Sequence, residues 1–427
     1  MHKMADGRAV VIGAGIAGLC AARVLAPFFP KVVIVERDGA ERFDDARPGM
    51  PGFLLGGGYA GLSELFPGIG ADLLIAGGVR FDAGDDIRLE SPEIGALPPR
   101  RMGWASYGVT RPTLERVIAQ RTARWPNIVF HHNRRVTALR LAEGGARVDG
   151  IRCRLPDGTV EHLDAELVID ASGRPDLTLA CTRTGDPAPA GRLAAGLGLA
   201  VATFRLPATF NPGFVGLATL PAPRSSRCGT VLRVGEERWQ VVLAAREDER
   251  PAADEASFCE FAGTLPTPAV GAFLRRTRRP EQLGGYRLRE AIWHRLDESH
   301  LPAGLLPVGD TMCRLDPIFG QGLTVAILQA LLLRNVLAAA PQGGTQLAIR
   351  RFLERSNVLV ERAWEAAATR DALFRAPAGA PSPQRLAAQD DNWREARRDP
   401  AAHEALLRQF HLLGLVGDET VSPQNAA

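Results

Sequence analysis

Residues 9–25 read AVVIGAGIAGLCAARVL. A short β-branched run leads into Gly13, Gly15 and Gly18, spaced G-x-G-x-x-G, and the small residues that follow carry a helical pattern. A second strand-like run, KVVIVER (31–37), comes next, and its Glu36 lies 23 residues past Gly13. The order is strand, tight turn, helix, strand, and each glycine has a task in it. Gly13 permits the turn, Gly15 lets a pyrophosphate approach the backbone, and Gly18 lets helix and strand pack closely. The helix start offers free N–H groups and a positive dipole end to the phosphates. Glu36, followed by Arg37, stands where a carboxylate accepts hydrogen bonds from adenosine ribose hydroxyls and disfavours an added ribose phosphate. The stretch predicts a Rossmann-like dinucleotide unit, with NAD and FAD both satisfying it.

A distant segment bears on that choice. LPAGLLPVGDTMCRLDPIFGQGLTVAILQALLL (301–333) reads as a strand ending in Gly309 and Asp310, a loop rich in proline and glycine, and a long apolar helix. An acidic residue at a strand end, followed by G-x-G at a helix start, suits a ligand long enough to span both. Asp310 is placed to hold a polyol hydroxyl. The helix opening near Gly322 aims its positive end at a group that becomes anionic, as a reduced flavin does.

Composition bounds the remainder. With 427 residues, 46% of them hydrophobic, the chain is expected to form two domains plus an accessory segment. A formal charge of +3 is too mild to argue for nucleic acid or an anionic membrane surface. Every basic residue except Lys3 and Lys31 is arginine, so a mechanism needing a catalytic lysine has few candidates. Six cysteines, Cys20, Cys153, Cys181, Cys228, Cys259 and Cys313, lack metal-ligand or C-x-x-C spacing and read as reduced cytoplasmic thiols. No metal site is expected. The run LTVAILQALLLRNVLAAA (323–340) contains Gln329 and Arg334 and suits a buried helix better than a membrane span; glycines interrupt the apolar stretch 9–27, which disfavours a signal sequence.

The stretches GAGIAG, Gly309-Asp310 and PIFGQG (317–322) together resemble the FAD-dependent monooxygenases of the aromatic-hydroxylase type, and most closely a bacterial branch of hydroxylases and epoxidases acting on secondary-metabolic substrates. The resemblance spans roughly residues 8–345. It implies that Gly13, Gly15, Gly18 and Glu36 form the AMP-binding half, that Asp310 binds the ribityl chain, and that Pro317, Gly320, Gln321 and Gly322 lie beside the isoalloxazine ring. GVTRPTLERVI is similar to the family's R-x-x-L-x-x-x-I pattern, which places Arg111 near the pyrophosphate, and NRRVTAL places Val136 against the adenine. Arg47 is a flavin neighbour on the same grounds. LVIDASGRPD stands where the family carries an Asp-Gly motif tied to flavin and nicotinamide binding, here opened to Asp170 and Gly173; the resemblance makes Asp170 a cofactor-binding residue and leaves the docking of the electron donor open.

The fold class expected is α/β, a Rossmann-like FAD-binding domain of the glutathione-reductase type with an inserted α+β substrate domain and a helical C-terminal segment. Residues 1–47, 103–180 and 297–345 are assigned to the FAD domain, 48–102 and 181–296 to the substrate domain, and 346–427 to the C-terminal segment, with RAPAGAPSPQ (375–384) as a linker. Strands are expected at TVLRVGE and WQVVLAARE and a helix at DEASFCEF. The C-terminal helices either cap the pocket or mediate assembly, and the oligomeric state is open.

The resemblance implies insertion of one oxygen atom of O2 into a small organic substrate, by hydroxylation or epoxidation, through a flavin C4a-hydroperoxide, with NAD(P)H or a partner flavin reductase as electron donor. The cofactor supplies the reactivity, so no catalytic residue is assigned; His294 and His300 read as structural. A reductase or dehydrogenase similar to geranylgeranyl reductases is the alternative. A flavin-dependent halogenase is disfavoured by the absence of a W-x-W-x-x-P signature and of a suitably placed lysine. A non-catalytic binding protein on the same fold is the rival from another class.

One feature is not absorbed. FLLGGGYAG (53–61) carries Gly56, Gly57 and Gly58 in a row. It lacks the preceding parallel strand and following lysine of a phosphate loop. Two readings stand, a turn that needs positive φ, or bulk withdrawn from the substrate side of the flavin, which assigns Gly56, Gly57 and Gly58 to the substrate pocket together with Phe319.

Overall fold

The computed structural model describes residues 7–43, 51–182, 189–193, 196–221, 225–246, 249–251, 254–341, 344–371 and 383–416. Arg47 and most of the expected linker, 375–382, lie outside the described residues.

Five parallel strands form one sheet, in the order Leu305–Pro307, Leu167–Asp170, Arg8–Ile12, Lys31–Val35, Ile128–His131. Val10 and Val11 of the central strand pair with Val168 and Ile169 on one side and with Val33 and Ile34 on the other. The strand is a continuous apolar run because both faces of a parallel sheet are covered. Helix Ile16–Leu25 packs on helix Gln321–Ala338, which also meets helix Gly56–Leu65 and helix Thr345–Asp371. Gln321–Ala338 is long and apolar enough to cross a membrane by length and composition, yet 72% of it is buried inside the protein.

A second sheet has seven strands, in the order Gln282–Leu288, Leu197–Arg205, Arg238–Arg246, Cys228–Arg233, Gly216–Thr219, Ile87–Ser91, Gly95–Ala96. Period-two alternation sorts its third strand. Trp239, Val241, Leu243 and Ala245 pack with Phe258 and Phe273 from helices Glu255–Gly263 and Ala269–Leu274, while Gln240, Val242 and Ala244 face a large cavity. A smaller sheet, Pro51–Leu54, Ala105–Thr110, Val79–Asp82, takes its middle strand from the cofactor side of the boundary drawn at residue 103 and both outer strands from the other side.

The chain ends in helices Pro383–Arg398 and Pro400–Phe410. Arg100 donates to the carbonyls of Ala396 (2.6 Å) and Arg397 (2.9 Å), satisfying otherwise unpaired groups at a helix C-terminus. Trp393 and Ala396 close a small apolar cluster with Ile94 and Leu97. These contacts fasten the last helices over the cavity mouth, where Asn392, Trp393 and Leu406 join its lining.

Candidate functional site

The cavity measures about 1680 Å³. Single small-molecule sites run to ~300–1,000 Å³, so there is room for a dinucleotide and a second molecule. It begins between the first two parallel strands. Gly13 adopts φ +97°, and a Cβ there would fall 2.7 Å from the Ala171 carbonyl oxygen. A Cβ on Gly18 would fall 2.0 Å from the Gly13 carbonyl oxygen, so Gly18 serves by packing and is not part of the cavity wall. Gly15 has open space where a Cβ would be, and the helix it caps has no side chain on its first N–H groups.

Glu36 is buried, and its carboxylate accepts from the backbone N–H of Ala14 (2.7 Å) and Asp38 (3.1 Å). It also pairs with Arg42, a residue without motif context, whose guanidinium continues to Glu115 (3.3 Å). Glu115 in turn accepts from Arg111 (3.1 Å), the arginine expected at the pyrophosphate. Arg111 therefore lines the cavity from a fixed tether one helical turn away. Arg37 and Val136 complete this end.

Asp170 differs from its expected place. It is fully buried behind the lining, where its carboxylate accepts from Thr178 Oγ1 (2.7 Å) and the Ser172 N–H (3.1 Å). Burial raises its pKa and these hydrogen bonds lower it. It shapes the Ala171–Arg174 turn and offers no atom to a ligand.

Gly309 and Asp310 lie midway. The Gly309 N–H donates to Gln329 Oε1 (2.7 Å), which explains a glutamine inside an apolar helix, since the turn would otherwise bury an unpaired donor. The Asp310 side chain is exposed to the cavity and has no hydrogen-bond partner among the described residues. Desolvation raises its pKa, while Arg111 and Arg314 lower it. An acceptor so placed suits hydroxyl groups.

At the far end, Pro317, Phe319, Gly320, Gln321 and Gly322 line the wall, and helix Gln321–Ala338 begins with no side-chain cap and open space beside Gly322. Asp316 holds this loop by accepting from the Ile318 N–H (2.9 Å) and pairs with Arg246 (2.9 Å) from the seven-stranded sheet. Burial raises the Asp316 pKa and Arg246 counters it. The pair ties the loop to the sheet that forms the apolar wall.

Gly56, Gly57 and Gly58 are the first turn of helix Gly56–Leu65, none has positive φ, and none is in the cavity lining. The turn reading is thereby corrected, and the withdrawn bulk serves another contact. A Cβ on Gly57 would fall 2.5 Å from both the His411 and Leu412 carbonyl oxygens, one on Gly56 would fall 2.7 Å from Trp104, and one on Gly58 would fall 2.7 Å from Thr324 Oγ1. Gly57, with Gly56, seats the His411–Leu412 segment, and Gly58 makes room for Thr324 of helix Gln321–Ala338. That seating puts His411 in the cavity lining, a residue with no motif around it and no sequence signal to find it.

No protein-family model matches the chain. Protein Rv3254 of Mycobacterium tuberculosis is 28% identical over 431 residues, covering 95% of this chain and 89% of that protein. Among solved structures, PqsL of Pseudomonas aeruginosa, described as a probable FAD-dependent monooxygenase, superposes with a TM-score of 0.69 at 17% identity, over 91% of this chain and 100% of PqsL. The p-nitrophenol 4-monooxygenase PnpA of Pseudomonas putida gives 0.68 at 16% identity over 96% and 99%. The flavin-dependent brominase Bmp2 gives 0.69 at 14% over 95% and 94%. The chain shares the fold of these solved structures.

Proposed function

We propose that the protein is an FAD-dependent monooxygenase that inserts one atom of O2 into a small, largely apolar organic substrate by hydroxylation or epoxidation. One observation carries this reading. Two helix N-termini without a side-chain cap, at Gly15 and at Gly320, open into one cavity, which the Asp310 carboxylate, without a hydrogen-bond partner among the described residues, also lines. The first suits a pyrophosphate and the second a group that gains negative charge on reduction. Open space at Gly15 and Gly322 is where a dinucleotide's backbone contacts need it. Every one of these residues fits FAD.

Bound there, FAD would supply the transfer of electrons from NAD(P)H or a partner flavin reductase and the activation of O2. The chain's own part is to bind and to exclude. Asp310 would accept from the ribityl hydroxyls, Arg111 would neutralise phosphate charge, and the start of helix Gln321–Ala338 would favour the reduced ring. Leu199, Leu232 and Val242, on the cavity face of the seven-stranded sheet, wall the remaining space against water. Among the described residues no lysine lines the cavity, which weighs against a lysine-dependent halogenase. All six cysteines are unpaired, in keeping with a reducing, cytoplasmic setting. The substrate and O2 are the expected small-molecule partners.

The test is reconstitution with FAD, followed by NAD(P)H oxidation under isotopically labelled O2 with candidate substrates. Label in the product supports the reading. Turnover under strict anaerobiosis would replace it with a reductase similar to geranylgeranyl reductases, halide incorporation would indicate a halogenase, and a colourless protein that takes up no FAD would indicate a binding protein.

A further inference from the structure

His411 follows helix Pro400–Phe410 and is held by both its backbone and its ring. Its carbonyl accepts from the Gly57 N–H (3.0 Å), and its Nδ1 accepts from the Gly56 N–H (2.9 Å). An imidazole that accepts at Nδ1 carries its proton on Nε2. Nε2 has no partner among the described residues and is not enclosed by protein, although the residue as a whole is 2% exposed and lines the cavity. Its N–H is thus a donor left to the cavity.

The surroundings place it beside the proposed reaction centre. The Gln321 side-chain amide donates to the Phe410 carbonyl (2.9 Å), joining the residue before His411 to the start of helix Gln321–Ala338. Phe53, whose ring lies 6.3 Å from the imidazole, sits 3.4 Å from the Cβ position of Gly320 and packs with Leu232 of the seven-stranded sheet. His411 therefore stands where the Pro317–Gly322 loop meets the apolar sheet face. Leu412, next in sequence, adopts φ +53°, a costly conformation for a leucine that the contacts around it must hold in place. Burial keeps the ring neutral by lowering its pKa to about 4.

We propose that His411 is a substrate-binding residue whose Nε2–H donates a hydrogen bond to an oxygen acceptor, a carbonyl or hydroxyl, on an otherwise apolar substrate. The inference rests on the monooxygenase reading for the meaning of the site, but the binding it describes does not require turnover. The sheet face across from it is apolar, with Leu199, Leu232 and Val242 in the lining, which suits a molecule with a polar edge on an apolar body.

Two substitutions separate the ring's two nitrogens. Asparagine reaches only as far as Nδ1, so His411→Asn keeps an acceptor for the Gly56 N–H and loses the cavity donor. Glutamine reaches the position of Nε2, so His411→Gln keeps a donor and loses the acceptor. The probes are naphthol and naphthalene, titrated calorimetrically into the full-length protein with and without FAD. The wild type is expected to prefer naphthol by about tenfold, the size of one hydrogen bond to a buried partner. His411→Asn should lose that preference with an unchanged melting temperature and unchanged naphthalene affinity, while His411→Gln should retain it and melt lower. A preference that survives in His411→Asn overturns the proposal, as does an equal loss for both probes or a wild type that binds neither. Failure to take up FAD would overturn the monooxygenase reading alone, because the probe comparison is also made on the apoprotein.

Discussion

The backbone N–H of Gly56 donates to Nδ1 of His411 across 2.9 Å, joining residues 355 positions apart. A helix start near one end of the chain thereby receives a partner for an otherwise unsatisfied donor, and a histidine near the other end is fixed in one tautomer.

Substituting the seat should release the C-terminal segment. Gly57→Ala drives a Cβ into two backbone carbonyls, which cannot swing aside as a side chain can. A loss of about 1–3 kcal/mol in thermal unfolding is expected, with faster proteolysis after residue 399 and FAD uptake retained. A variant as stable and resistant as wild type would show that the segment is not held there.

Acid should weaken the same contact. His411 titrates near pH 4 when folded, against 6.5 ordinarily, because burial disfavours the imidazolium and Asp82 only partly opposes this. The unfolded chain takes the proton first, so the stabilisation is complete above about pH 6.5 and is lost as pH falls towards 4, amounting to about 3 kcal/mol. Asp170, Asp310 and Asp316, whose pKa values are raised, act in the opposite sense. The comparison of wild type with His411→Phe isolates the histidine. Their melting temperatures should converge between about pH 7 and pH 4.5.

Asp310→Ala removes a carboxylate that has no protein partner among the described residues. FAD affinity, read from flavin fluorescence quenching, should fall at least about tenfold, because hydrogen bonds to a charged acceptor are lost. The apoprotein should melt no lower than wild type, since a desolvated charge has gone. A variant that binds FAD as tightly as wild type would remove Asp310 from the site.

The Arg246–Asp316 pair, 8% and 4% exposed, should behave as a buried bridge. Arg246→Met leaves Asp316 buried without this partner and should cost about 3 kcal/mol in denaturant unfolding. Asp316→Asn should cost less, because its amide oxygen can still accept from the Ile318 N–H. Combining Arg246→Met with Asp316→Leu should recover part of the loss. With Asp316→Leu also measured alone, strict additivity of Arg246→Met and Asp316→Leu would argue against direct coupling.

The Rossmann-like half of this protein is legible in residues 9–37 because its requirements are local. The turn, the close helix packing and the acidic strand end each fall within one strand-helix-strand unit, so spacing alone points to Gly13, Gly15, Gly18 and Glu36. The strand end at Asp310 and the helix start after the 317–322 loop are likewise local patterns, and both line the cavity. Asp170 reads as a ligand residue in sequence, yet lies behind the cavity wall, since the direction of a side chain at a strand end depends on how the following turn packs. The Gly56–Gly58 triplet, His411 and the Arg246–Asp316 pair have no local rule. Their meaning is complementarity between surfaces far apart in the chain, where an absent Cβ matters only once a distant backbone comes to rest against it.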